Sequence, residues 1–178
     1  DLPSAIERLQ SGMANIGPAS NWRQRSAGHR YLAEAFAASG RLDEAEQEVR
    51  SALALAEPSP ALRAQALGLL ADILLKTPRH IEASMAASQA VEILVSVGVA
   101  EDEARIRLVY AMALDAMGHG RNAREAYDGA RRRLLTRADR ISDPEWRNSF
   151  LEKVRDHGRT LSLAAERCLS SSQPPGDG

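Results

Sequence analysis

The chain is expected to be all-α, and three observations carry that expectation. Ala, Leu, Arg and Glu dominate its 178 residues while Phe, Tyr and Trp together supply 4%. That balance favours helices, because Ala and straight-chain side chains lose least on entering one. Next, a triplet of small or apolar residues recurs after a turn residue: Ala45, Val49 and Ala52 after Gly40, Ala83, Ala87 and Ala90 after Pro78, and Ala123, Tyr127 and Ala130 after Gly118. Ala5, Leu9 and Gly12 repeat the triplet at the start, so that positions 5, 45, 83 and 123 are separated by 40, 38 and 40 residues. Finally, the residues ahead of each turn repeat as Leu32, Ala33 and Phe36, then Leu70, Ala71 and Leu74, then Tyr110, Ala111 and Leu114, with Phe150, Leu151 and Val154 ahead of Gly158. Spacings of three and four place each set on one helical face.

Each unit therefore reads as a helical hairpin broken by Gly or Pro. One hairpin cannot cover both of its apolar faces, so neighbours must stack. The predicted architecture is a right-handed α-α superhelix, a solenoid of about three full hairpins with a leading half repeat and a C-terminal capping hairpin. It is expected over residues 1–170, followed by a disordered tail at 171–178, where SSQPPGDG has too little to bury. The small residues have a packing reason. Two helices approach closely only where the side chains at the crossing are short, and a large neighbour then fills the adjoining gap.

In chain order, helices are expected at 3–16, 21–39, 42–57, 60–76, 79–97, 100–117, 121–139, 144–156 and 159–169. Residues 5–16 match the second helix of a unit whose first helix would lie upstream, which is the expectation for a piece cut from a longer protein. Ser59 before Pro60, and Ser142 with Glu145 around Pro144, are start signals. Glu101, Asp102 and Glu103 favour a helix start through its dipole. Gly158 is expected to break the last hairpin.

The stretch HRYLAEAF, with His29, Leu32, Ala33 and Phe36, continues to Gly40, Leu42, Ala45, Val49 and Ala52, and in this it resembles the tetratricopeptide repeat (TPR) family. His29 stands where that family usually has Trp, Pro58 comes one place late, and the units exceed the usual ~34 residues. Long repeats of this kind resemble those in large bacterial signalling regulators, where an array follows a STAND-type ATPase or a Ser/Thr kinase domain. The Phe150-Leu-Glu-x-Val-x-x-His157 run resembles the closing helices of such arrays, although Arg155 replaces a common Pro.

Charge and composition exclude several classes. With 23 basic and 24 acidic side chains the net charge is -1, so no global field draws nucleic acid or an anionic membrane. No apolar run approaches the ~20 residues that span a bilayer, and no secretory signal opens the chain. The expected location is cytoplasmic, which suits a lone Cys168. His29, His80, His119 and His157 lie in different units without a second ligand at metal-pair spacing. His29 reads as a core residue, and His80 and His119 as solvated turn residues. No nucleophile elbow or phosphate loop is present, so neither an enzyme nor a cofactor or metal is expected. The stripe Arg133, Arg137 and Arg140 could meet phosphate, but without interleaved aromatics it reads as a solvated outer face. The acids Asp43, Glu44, Glu46 and Glu48 read the same way.

Function should then lie in the surface. The resemblance implies a non-enzymatic protein–protein interaction scaffold whose first helices line a concave face. Projected away from the core columns, that face collects Arg30, Glu34 and Ala37, then Gln65, Asp72 and Lys76, then Arg105, Met112 and Asp115, with Asn148 and Glu152 last. Glu34 and Asp72 would repel a free carboxylate and suit a basic or amphipathic helix from a partner protein or from another domain of the same chain. The exposed terminal repeat allows a homodimer. The alternative is a small-ligand sensor that controls an attached ATPase or kinase.

Overall fold

The computed structural model describes residues 1–16, 21–98 and 101–169. Among them are nine α-helices and no strand. They fall into two compact units, Asp1–Glu101 and Asp102–Gly178. The first unit holds α1 (Leu2–Asn15), α2 (Trp22–Ala38), α3 (Leu42–Leu55), α4 (Pro60–Leu74) and α5 (His80–Val97). The second holds α6 (Glu103–Ala116), α7 (Gly120–Ala138), α8 (Pro144–Glu152) and α9 (Arg155–Leu169). The side chain of Cys168 and the tail at 171–178 lie outside the described residues.

In the first unit α2–α3 and α4–α5 are hairpins, and α1 packs on α2 as α3 packs on α4. The columns account for this pairing. Ala45, Val49 and Ala52 are fully buried, as are Ala83, Ala87 and Ala90, opposite the buried sets Leu32–Ala33–Phe36 and Leu70–Ala71–Leu74. The α2–α3 turn is set by Gly40, whose φ of 80° is costly for a residue with a Cβ. Arg41 N–H then donates to the Phe36 carbonyl at 2.9 Å, a bond that satisfies one of the orphan carbonyls at the end of α2. Ser59 caps α4 as expected, accepting from Leu62 N–H at 3.5 Å, with Pro60 at the first helical position.

Packing alone does not hold α3 to its neighbours. Glu46 accepts from Arg50 Nη2 at 2.7 Å and from Arg79 Nη1 at 2.6 Å, and Arg79 also grips Glu82 at 2.6 Å. Burial pushes the Glu46 carboxyl up, and the Arg79 and Arg50 bonds more than offset this, leaving it below the usual range. The acids of α3 are thus not simply a solvated outer face. Glu46 reaches the start of α5, Glu48 reaches His29 Nδ1 at 2.6 Å, and Glu44 reaches Arg41. His29 is accordingly a half-buried, hydrogen-bonded residue rather than core. An imidazole at that position has a carboxylate in reach, which the apolar column would not supply.

At α1 the triplet is read differently. Ala5 and Gly12 are exposed and Leu9 is half-buried, because no first helix covers them among the described residues. Ile6 is the one buried residue of α1. The helix seats on α2 through Met13, whose sulfur would lie 2.0 Å from a Cβ at Gly28. Glycine there admits the thioether, a close approach that the column pattern did not mark.

In the second unit α6–α7 repeats the hairpin. Gly118 takes φ 76°, and His119 N–H donates to the Leu114 carbonyl at 3.0 Å, the same geometry as at Gly40. Leu108, Ala111, Leu114, Ala123 and Tyr127 form the core together with Ala164 of α9. The last two helices depart from the predicted register. α8 starts at Pro144 as expected, but its cap is Asp143 rather than Ser142, since Asp143 accepts from Trp146 N–H at 3.0 Å. The break falls at Lys153–Val154, and Gly158 lies inside α9. The Val154 carbonyl accepts from His157 and Gly158 N–H, starting the new helix, while His157 Nδ1–H donates to the orphaned Phe150 carbonyl at 2.7 Å. Phe150 and Leu151 are only half-buried and Val154 is exposed, so they are not a fourth column.

Instead α9 packs on both α6 and α7, as α4 packs on both α2 and α3. It also carries the buried Ala164 after Leu163, as Ala33 follows Leu32 and Ala71 follows Leu70. Positions 111 and 164 are 53 residues apart against 38 between 33 and 71. The difference is taken up by α8, which contributes no buried residue.

Candidate functional site

The sequence-predicted face divides between the two units. In the first, α2 and α4 touch directly. Glu34 and Asp72 hold equivalent positions there, each one residue past its buried column alanine and each half-buried. Glu34 accepts from Arg30 Nη1 at 2.9 Å, and Lys76 Nζ lies 3.8 Å from Asp72. The Arg30 guanidinium also lies 4.8 Å from the centre of the Tyr31 ring, which is 48% exposed. Ala37 is half-buried and Gln65 is buried. Gln65 is therefore withdrawn from any open surface, being one of ten enclosed residues of α4.

In the second unit α9 covers the predicted face. Arg105 Nε donates to Asp156 at 3.0 Å, Arg159 Nη2 approaches the Met112 sulfur at 3.6 Å, and Asp115 pairs with Arg167. Three residues expected to line an open surface are thus contact residues for a helix of their own unit. Asn148 and Glu152 sit exposed on α8. Tyr127 lies beneath this contact, and burial followed by the Asp115 charge pushes its phenol up.

Charge collects where two stretches that the sequence marked separately come together. Glu103, in the first turn of α6, is 1% exposed. Its Oε1 accepts from Arg107 Nε at 3.0 Å and Arg133 Nε at 2.7 Å, and Arg137 Nη1 stands 3.8 Å from Oε2. Burial pushes the carboxyl up, but the hydrogen bonds from Arg133 and Arg107 prevail and hold it below the ordinary glutamate range. Arg133 and Arg137 are consequently not a merely solvated face; both turn toward a buried carboxylate, and Arg137 also lies 5.8 Å from the centre of the Phe150 ring. Arg140 stays exposed. The signal available in sequence was an acid at a helix start followed by a basic run 30 residues later, which local patterning does not connect.

The other titratable groups are dispersed. His119 is exposed, while His80 is half-buried with Nδ1 enclosed and unpartnered, so it is not solvated as expected. Among the described residues no group of three His, Cys, Asp or Glu side chains could hold a metal ion, and no helix is long and apolar enough to cross a membrane.

No protein-family model matches the chain, and no curated protein sequence matches it. Solved structures do. A kinesin light chain-type protein of Podosopora anserina with nearly identical TPR-like repeats superposes with a TM-score of 0.62 at 16% identity, covering 97% of this chain and 90% of that one. A single-substitution variant of it gives 0.63 at 16%, covering 97% and 89%. BtubC (BKLC) from P. vanneervenii gives 0.64 at 14%, covering 100% and 78%. The chain therefore has an all-α, TPR-like helical-repeat fold.

Proposed function

We propose that the chain is a non-enzymatic scaffold that binds an amphipathic helical segment of a protein on the α2–α4 face. The observation that carries this is the direct contact of two first helices of a TPR-like fold with Glu34 and Asp72 at equivalent places, each beside a cation one turn away. Paired charges of both signs can exchange partners with an incoming helix, which fixes register, while apolar contact such as the exposed Tyr31 supplies affinity. In the second unit α9 occupies most of the predicted face, and Asn148 and Glu152 are the predicted residues that stay exposed there. The partner is a separate protein or another domain of a larger bacterial signalling regulator, a setting supported by the Phe150–His157 run.

Fluorescence anisotropy against a panel of labelled amphipathic helical peptides, basic, neutral and acidic, tests the reading. Saturable, salt-sensitive binding that is lost in Glu34→Lys/Asp72→Lys and kept in Arg41→Ala, on the turn, supports it. Binding that ignores the double variant would place the partner elsewhere.

A further inference from the structure

The outward face of α5 is apolar where its sister helices are polar. Two residues before and two after the buried column alanine, α3 exposes Asp43 and Gln47, and α7 exposes Arg121 and Glu125. At the same two places α5 carries Ile81, 66% exposed, and Met85, 59% exposed. Further along, Val95 is 68% exposed. Single apolar residues on a surface need no explanation, but these form a line. Ile81, Met85, Ser88, Glu92 and Val95 follow one another at spacings of four and three, the seam along which one helix packs on another. On the side toward α3, Met85 borders a cavity of about 230 Å³ floored by Leu67, Leu70 and Leu74, which widens the apolar strip.

The seam is its own complement. Ser88 lies at its centre, with Ile81 and Val95 seven residues to either side. Turned antiparallel on a second copy about Ser88, Ile81 meets Val95 of the partner subunit, and Val95 meets the partner's Ile81. The short serine side chain at the crossing lets the two helices approach, as the column alanines do within each hairpin. Charge selects the same direction. A parallel pair would set Glu92 against its own copy, whereas the antiparallel pair holds the two carboxylates about 12 Å apart at ~1.5 Å per residue. It also brings each Glu92 opposite Ser84 of the partner subunit, and Ser84 is half-buried with a hydroxyl able to donate.

We propose that the chain forms a two-fold dimer through α5, antiparallel and centred on Ser88. Such an interface is isologous and closes on itself. None of the seam residues lies on α2 or α4, so this surface is separate from the one assigned to the helical segment. One pair of 18-residue helices buries less than the ~1,600 Å² of a standard interface, so the dimer should dissociate on the order of micromolar.

Sedimentation equilibrium of the whole chain from about 1 to 500 µM tests this. The mean mass is expected to rise from 19.3 kDa toward twice that value. Met85→Lys, which sets a cation into the seam of each copy, should weaken association at least about tenfold, and Gln47→Lys at the equivalent place on α3 should leave it unchanged. In a Cys168→Ser background, Ser88→Cys should link two copies under mild oxidation, while Glu92→Cys, too far from its copy to be bridged, should not. A mass constant at 19.3 kDa, or association that ignores Met85→Lys, would overturn the proposal, and equal cross-linking at both positions would overturn it in favour of a parallel pair. If Met85→Lys fails to fold by circular dichroism, the mass of the unaltered chain and the two cysteine variants still decide.

Discussion

Ala45→Trp should unfold the first unit or lower its stability by about 3 kcal/mol or more, at the upper end for overpacked cores. Ala45 is fully buried on α3, beside the buried Val49 and Ala52 and opposite the Leu32–Ala33–Phe36 set of α2. An indole there has no cavity to enter, so the hairpin must open or the side chain must leave its rotamer. For a unit of this size each kcal/mol shifts the midpoint by roughly 4–8 °C, so a fall of more than about 12 °C is expected in thermal melts followed by circular dichroism. Gln47→Trp, on the exposed side of the same helix, should change little. If Ala45→Trp melts like the unaltered chain, the close-packing role of the small column is wrong.

Tyr127→Ala should cost about 3–5 kcal/mol, the range for removing a buried aromatic ring. The same column position holds Val49 in α3 and Ala87 in α5, all of them buried. What differs is the neighbourhood: Tyr127 packs among Leu108, Ala111, Leu114, Ala123 and Ala164, so the ring fills space left by alanines of three helices. Its loss would leave a void where α9 meets α6 and α7. Urea unfolding should show a lower midpoint, and Tyr127→Phe, which keeps the ring, should recover most of it. A Tyr127→Ala variant within 1 kcal/mol of the unaltered chain would mean that α9 is not anchored at this core.

The hairpins were legible because their cause is local and repeated. Ala33, Ala71 and Ala111, with Ala45, Ala83 and Ala123, announce close crossings at near-constant intervals, and Gly40 and Gly118 announce turns that require positive φ. The end of the chain was not legible for a physical reason. α8 interrupts the period, and Gly158 offers a turn residue in roughly the expected place, whereas the helix actually breaks where the His157 imidazole can take up the Phe150 carbonyl. With the period broken, α9 could not be recognised as the helix that takes the place of a next first helix. Arg105, Met112 and Asp115 therefore looked open when each has a partner on α9. Glu103 failed differently, since its burial depends on Arg133 and Arg137 arriving from α7.

That α9 covers the α6 face is the claim on which the placement of the binding surface in the first unit depends. The pair Arg105–Asp156 tests it most directly, being a 3.0 Å contact between α6 and α9 with both side chains about one-fifth exposed. A double-mutant cycle with Arg105→Ala, Asp156→Ala and the double variant, read by urea unfolding, should give a coupling of about 1 kcal/mol. Additivity within ~0.3 kcal/mol would contradict the account and return Arg105, Met112 and Asp115 to an open face.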